Sequence, residues 1–168
     1  PSPYVMVRAG LEALIDRPQI EDEDQLQVLK QVMDILPTTF LMNSLLFPLV
    51  NTRMLNLTLK YGNSRYSGCA YGAFGGLCAK KLKNYSLAYR LGRLAVEAGD
   101  RFPNPAYEGR PYMLFCDWAQ HWGEPLRNSL ESRQKAFAYL QRQGDYYWAS
   151  HVYIIGFCNE IFAVEHLG

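Results

Sequence analysis

Gly68-Cys69-Ala70-Tyr71-Gly72-Ala73-Phe74-Gly75-Gly76-Leu77-Cys78-Ala79 is the stretch on which the fold turns. It lies in a segment that reads as a helix from Ser64 or its neighbours to about Leu82. Gly68, Ala70, Gly72, Ala73, Gly75, Gly76 and Ala79 leave that helix nearly bare. Each glycine in a helix interior costs roughly 1 kcal/mol against alanine, so this many imply a return. The return expected is close approach by the backbones of neighbouring helices. Two rival readings have less support. A phosphate loop needs GxxxxGK[ST], which occurs nowhere in the chain. Gly72-x-x-x-Gly76 matches the spacing of a membrane dimer, but Lys80, Lys81 and polar surroundings flank it.

Working outward, Asn84 opens the next helix, from Tyr85 to about Asp100. Phe102 to Gly109 is the longest loop, marked by Pro103, Asn104, Pro105 and Gly109. A helix is expected from Pro111 to Trp122, interrupted by Gly123-Glu124-Pro125, with Pro125 suited to a first turn. Another spans Leu126 to Gln143. Gly144-Asp145 makes a turn, and a last helix covers Tyr146 to about Val164. Upstream, Gly62-Asn63 stops a helix running from about Phe40 to Tyr61. Pro48 predicts a bend within it, and Thr38 or Thr39 can cap it. Before that, Leu26, Leu29, Val32, Met33 and Leu36 recur at helical spacing from Asp24, and Pro37 closes the helix. Glu21, Asp22, Glu23 and Asp24 form an acidic linker suited to the positive end of that helix. Tyr4 to Ile15 reads as a poorly defined lead-in or a short helix. Residues 1–23 are therefore a lead-in and linker, and residues 24–168 a helical domain. No segment of comparable length alternates strictly by two residues, so a sheet is not expected.

The 168 residues can bury a sizeable core, and 49% hydrophobic with 20% charged residues fits a globular chain. Twelve Tyr, 8 Phe and 3 Trp point to bulky packing between helices. The net charge of +1 gives no strong case for nucleic-acid binding. Lys80, Lys81 and Lys83, and Arg90 and Arg93, read as solvated helix ends. Cys69, Cys78, Cys116 and Cys158 lie far apart with no CxxC pair, which disfavours zinc and favours reduced thiols in a cytoplasmic protein. The chain opens Pro1-Ser2-Pro3 without a signal peptide, as expected of a piece of a longer protein. Phe40–Leu59 is the most apolar stretch, but Asn43, Pro48, Asn51, Arg53 and Asn56 argue against a membrane span.

The sequence carries a faint internal repeat. Asn84-Tyr85-Ser86-Leu87-Ala88-Tyr89 resembles Asp145-Tyr146-Tyr147-Trp148-Ala149-Ser150. A polar residue ends a tight turn, an aromatic covers it, and an alanine one turn later permits close approach. At the same offset Gly92 falls opposite Tyr153, so the shared signal is the turn and the first helical turn. This is the logic of tetratricopeptide (TPR) hairpins, but the offset exceeds their period of about 34 residues. The fold expected is all-α, with antiparallel hairpins stacked as a TPR-like α-solenoid or superhelical array.

Leu59-Lys60-Tyr61-Gly62-Asn63-Ser64, Ala70-Tyr71-Gly72 and Tyr85-Ser86-Leu87-Ala88-Tyr89-Arg90-Leu91-Gly92-Arg93-Leu94-Ala95 are similar to the helical middle region of large multidomain signalling kinases. So are Trp122-Gly123-Glu124-Pro125-Leu126, Gln143-Gly144-Asp145 and Ala149. The resemblance runs from about Leu26 to Phe162. Such proteins join a kinase-like domain, a STAND-type ATPase, TPR-like helices, a GAF domain and a histidine kinase. The resemblance implies a helical spacer between a nucleotide switch and an output domain, with the phosphate loop and phospho-accepting histidine outside this segment.

Among candidate sites, Asp117 and His121 are four apart in an expected helix, so a carboxylate–imidazole pair is possible. No third ligand or nucleophile accompanies them, and packing beside tryptophans is the simpler account. His151 follows Trp148 by one turn and suits packing or surface; His166 is near the end. Ser64, Ser67 and Ser86 stand in no GxSxG context, and Glu160 and Glu165 form no ExxH motif. Tyr66, Tyr71, Tyr85, Tyr89, Tyr107, Tyr112, Tyr146, Tyr147 and Tyr153 cluster around turns and helix starts, where a part-wet ring is at home. Tyr85, Tyr89, Trp118, Trp122, Tyr146 and Tyr147 are the expected interaction surface. The function expected is non-catalytic: protein–protein or interdomain contact, with no cofactor, metal, nucleic acid or membrane span. The alternative is a small-molecule sensor with an aromatic-lined pocket between helices.

Overall fold

The computed structural model describes residues 10–42 and 45–165, with no side-chain description for Glu12, Glu160 and residues 162–165. The beginning of the expected lead-in, Asn43 and His166 lie outside this set. Seven α-helices pack together, and no strand occurs among the described residues. They are α1 (Glu23–Leu41), α2 (Leu46–Tyr61), α3 (Ser67–Leu82), α4 (Tyr85–Arg101), α5 (Gly109–Trp118), α6 (Ser129–Arg142) and α7 (Tyr146–Glu165). Short 3-10 turns occupy Leu11–Leu14, Gln120–Trp122 and Leu126–Asn128.

The glycines of α3 act as the sequence implies. A β-carbon on Gly68 would lie 2.8 Å from Ala95 O and 3.0 Å from Gly99 N, and one on Gly75 would lie 3.1 Å from Ala88 O. The backbones of α3 and α4 therefore nest directly. As α3 is followed backwards from Gly75 to Gly68, its partner advances along α4 from Ala88 to Gly99, so the pair is antiparallel. On another side, Gly68, Gly72 and Gly76 face Pro111, Leu114 and Trp118 in turn, which makes α5 parallel to α3. Helix α6 runs against α5, with Leu140 at Gly109 and Arg133 at Asp117. Helix α7 runs against α6, with Tyr153 at Phe137 and Gly156 at Arg133.

The polar starts of the helices obey capping chemistry. Asp22 accepts from the N–H groups of Asp24 and Gln25 at α1, and Asn84 Oδ1 accepts from Leu87 N at α4 (3.1 Å). At the turns, Lys83 and Gly144 both take the left-handed conformation (φ 54° and 74°). Asn84 N–H then reaches back to Cys78 O and Asp145 N–H to Leu140 O.

Several helix boundaries differ from expectation; the helix expected from Leu126 begins at Ser129, after the Leu126–Asn128 turn. Pro37 does not close α1, which continues to Leu41. Proline inside a helix costs about 3 kcal/mol. The extra turn returns a comparable sum: Phe40 packs against Phe47, Trp118 and Trp148 with ring centroids 5.5, 5.1 and 5.7 Å away. Thr39 consequently caps nothing; buried inside α1, its hydroxyl donates to Leu36 O (2.8 Å). The expected Phe40–Tyr61 helix begins instead at Leu46. Pro48 falls in its first turn, where the missing N–H has no intrahelical acceptor to lose, so no bend need arise there. Finally, α5 stops at Trp118, and Ala119 (φ −132°) breaks the register before the Gln120–Trp122 turn.

The lead-in is held by Asn63. Its Nδ2 donates to Leu14 O (2.8 Å) and Ile15 O (3.1 Å), and its Oδ1 accepts from the buried Tyr71 hydroxyl (2.7 Å). Backbone bonds join Asn63 N to Pro18 O and Ile20 N to Asn63 O, both 2.8 Å. Gly62 (φ 115°) packs on Pro18 so tightly that no side chain fits there. Leu11, Leu14, Ile15 and Ile20 are buried as a result.

Candidate functional site

The end of α1, the start of α2, the end of α3 and the end of α5 surround a groove of about 420 Å³. Aromatic rings build it. Gly76 has no side chain, so the Trp118 ring lies directly on α3. Phe40 and Phe47 pack against Trp118 from the other side. Tyr85 and Trp122 stack at 4.0 Å with their planes 23° apart, forming one wall. Trp122 Nε1 donates to Trp118 O (3.2 Å), which fixes the indole. Lys80, Lys81 and Lys83, all exposed, stand at the rim.

Of the six residues expected to form an interaction surface, Tyr85, Trp118 and Trp122 meet in this groove. Tyr89 lies beside it and serves the fold: its hydroxyl donates to Glu124 Oε1 (2.7 Å), and its ring covers Gly123. Tyr146 (69% exposed) and Tyr147 are displayed at the start of α7, outside the groove lining. The lysines, which read as solvated helix ends, belong to the groove. Sequence patterning does not point to Phe40 and Phe47 as groove residues, because Pro37 locally signals a stop and Pro48 a bend.

The Asp117–His121 pair is not formed. The helix ends between them, and Asp117 turns instead to Arg133 Nη1 (2.6 Å) and His151 Nδ1 (3.2 Å). The Asp117 and Arg133 side chains are only 1% and 8% exposed. Arg133 also donates to Ser129 Oγ (3.1 Å) and Cys116 O (3.2 Å). Buried charges that are paired and hydrogen-bonded in this way are a clamp between helices, here α5, α6 and α7. His121 packs on Trp122 (4.4 Å), and burial together with the Arg133 charge pushes its pKa down.

Cys69, Cys78 and Cys116 are buried free thiols, and Cys158 is exposed. Burial pushes Cys69 and Cys78 up to about 12, which keeps them as protonated thiols. No group of three or more His, Cys, Asp and Glu side chains could hold a metal ion among the described residues. No described helix is long and apolar enough to cross a membrane.

Among the described residues, exposed large apolar side chains gather in two further places. One runs from Leu41 and Met42 to Leu45, Leu46 and Leu49, with Leu45 87% exposed. The other is the outer side of α7: Tyr153, Ile154, Phe157 and Ile161.

Comparison with known proteins gives one thread. Over 120 residues, 70% of the chain, the sequence is 24% identical to hybrid signal transduction histidine kinase G of Dictyostelium discoideum. That stretch spans 4% of the kinase's length. The chain matches no protein-family profile and no solved structure. The similarity fits a signalling-related role.

Proposed function

We propose that the chain is a non-catalytic helical module making protein–protein or interdomain contacts within a larger signalling ATPase or kinase. The observation that carries this reading is the pair of bare apolar faces on a bundle otherwise closely packed. Large exposed apolar patches on folded proteins mark contact surfaces, and those here lie at opposite ends of the sequence, on α1–α2 and on α7. The similarity to a signalling histidine kinase supplies the context. Antiparallel neighbours with α5 parallel to α3 support a TPR-like stack, as do the matching turns at Lys83-Asn84 and Gly144-Asp145. The module acts mechanically: a hairpin displaced at one face moves its neighbours because backbones and a buried ion pair couple them.

Photo-crosslinking tests this. A benzophenone side chain at Leu45 or Tyr153 in the cell-expressed parent protein is expected to capture protein segments. The same group at Glu131, whose side chain is 82% exposed, is the control. Yields at both apolar positions no higher than at Glu131 would reject the proposal.

A second reading is favoured by the groove itself, whose aromatic walls and volume fall in the range of small-molecule sites. On that reading a ligand raises the melting temperature of the chain, and Trp122→Ala removes the rise. A broad ligand screen in which no compound gives a Trp122-dependent rise would dismiss it.

A further inference from the structure

We propose that the Trp118–Trp122 groove receives an acidic segment of a partner protein, anchored by a bulky apolar side chain; the proposal rests on the protein-interaction reading above. The anchor site is the space between Phe47, Trp118 and the Tyr85–Trp122 stack, which offers apolar surface on three sides. Lys80, Lys81 and Lys83 supply the charge on one edge.

The electrostatics of the groove are one-sided. Asp117 is the carboxylate that lines it, and both its oxygens are engaged, by Arg133 and by His151. His121, the imidazole in the lining, is held toward its neutral form by burial and by Arg133. Three ammonium groups therefore face an apolar cleft in which Asp117, the carboxylate among the described lining residues, is already paired. Glutamate or aspartate flanking an apolar anchor would complement them, as acidic and basic surfaces do in steered protein association.

The extent of the apolar surface points to polypeptide. From the groove mouth, Leu45 leads to Leu46 and Leu49 along the start of α2, all exposed. A segment whose anchor fills the groove can lay its next apolar residue on Leu45 and Leu49 while its carboxylates meet the lysines. That is the repeating-anchor mode by which apolar grooves take amphipathic segments.

The test is selection of random peptides of about 12 residues, displayed on phage, against the whole immobilised chain. Selected peptides are expected to combine bulky apolar residues with an excess of Asp and Glu. Their affinity should fall at least tenfold on Lys80→Glu/Lys81→Glu/Lys83→Glu and on Trp122→Ala, with the helical circular dichroism of both variants unchanged. Selection against the triple variant should turn the preference toward Lys and Arg. Peptides without acidic excess, or peptides binding the triple variant equally well, overturn the proposal. So does a chain that selects no peptide but binds anilinonaphthalene sulfonate in a Trp122-dependent way, which favours the small-ligand reading. Crosslinks at Tyr153 would survive any of these results, so failure here is separable from failure of the interaction module.

Discussion

The α3–α4 and α6–α7 hairpins turn in a similar way yet are attached to the bundle by different physics. In α3–α4, glycines bring backbone against backbone along the whole length, from Gly75 at Ala88 to Gly68 at Ala95 and Gly99. Helix α3 is buried almost throughout until its last turn. In α6–α7, attachment rests chiefly on polar ties, the knot of Arg133 with Asp117 and His151 and the pair Arg110 with Asp145, with one close backbone approach at Gly109, beside the inward-facing Ala136, Leu140, Trp148, Ala149 and Val152. Continuous nesting buries α3 until its last turn and leaves α4 a polar outer face that includes Arg93, Glu97 and Asp100. A knot near its middle holds the hairpin in place and leaves Tyr153, Ile154 and Phe157 facing water. The glycine hairpin is thus the buried frame, open at its Lys80–Tyr85 turn, and the clamped hairpin presents an apolar outer side.

The largest effect should come from cutting the knot. Asp117→Ala leaves the Arg133 guanidinium buried without its carboxylate, a change that costs about 4 kcal/mol in comparable buried pairs. Hydrogen exchange is expected to show amides of α6 and α7 losing protection first, while those of α3 and α4 hold theirs. Equal loss across both hairpins would mean that the two are one cooperative unit, with no difference between frame and clamped hairpin.

The contrast was half legible in the sequence. Gly68, Gly72, Gly75 and Gly76 speak for themselves, because a helix retains so many glycines only against close neighbours. The turns were legible for the same local reasons, through Gly62-Asn63, Asn84 and Gly144-Asp145. The knot was not. Asp117 drew attention, but its helical neighbour His121 was the wrong partner, since the helix ends at Trp118. Arg133 and His151 lie 16 and 34 residues away, and no local spacing connects them. Pro37 misled in the other direction: its penalty is local, whereas the Phe40 ring cluster that offsets it is assembled from α2, α5 and α7. Asn63 was read as part of a stop signal, and nothing near it in sequence announces the carbonyls of Leu14 and Ile15.

A matched pair of substitutions probes both hairpins with the same chemical change. At Gly68 an added methyl meets Ala95 O at 2.8 Å, Pro111 Cγ at 2.9 Å and Gly99 N at 3.0 Å. Two of these are backbone atoms, so helices must part, and Gly68→Ala should lose about 2 kcal/mol. At Gly156 the nearest atom is Arg133 Cδ at 3.4 Å, ordinary contact distance. There the helix gains from losing a glycine, and Gly156→Ala should stabilise by about 0.5–1 kcal/mol. Chemical denaturation of both variants reads the opposite signs directly. Destabilisation by both would show that α7 is packed as tightly as α3.

The smallest effect concerns the link between the hairpins. Glu124 lies between the Gln120–Trp122 and Leu126–Asn128 turns that carry the chain from α5 to α6, and it reaches α4. Gln120 Nε2 donates to its Oε2 (3.0 Å) and the Tyr89 hydroxyl to its Oε1 (2.7 Å). These bonds, Gln120 first, hold the carboxyl below its ordinary value of 4.5. A carboxylate depressed in the folded state binds its proton more readily in the unfolded chain. Its stabilisation is therefore complete above about pH 4.5 and is lost as pH falls through the lower folded value. Glu124→Gln retains an acceptor for Tyr89 but has no charge to titrate. It should cost under about 1 kcal/mol near neutrality, since the group is partly exposed, and the difference should vanish in acid. Melting temperatures of the two proteins compared from about pH 3 to pH 7 check this. A gap that stays constant with pH would show that Tyr89 and Gln120 hold the position by shape alone, and that the link between the hairpins carries no charge dependence.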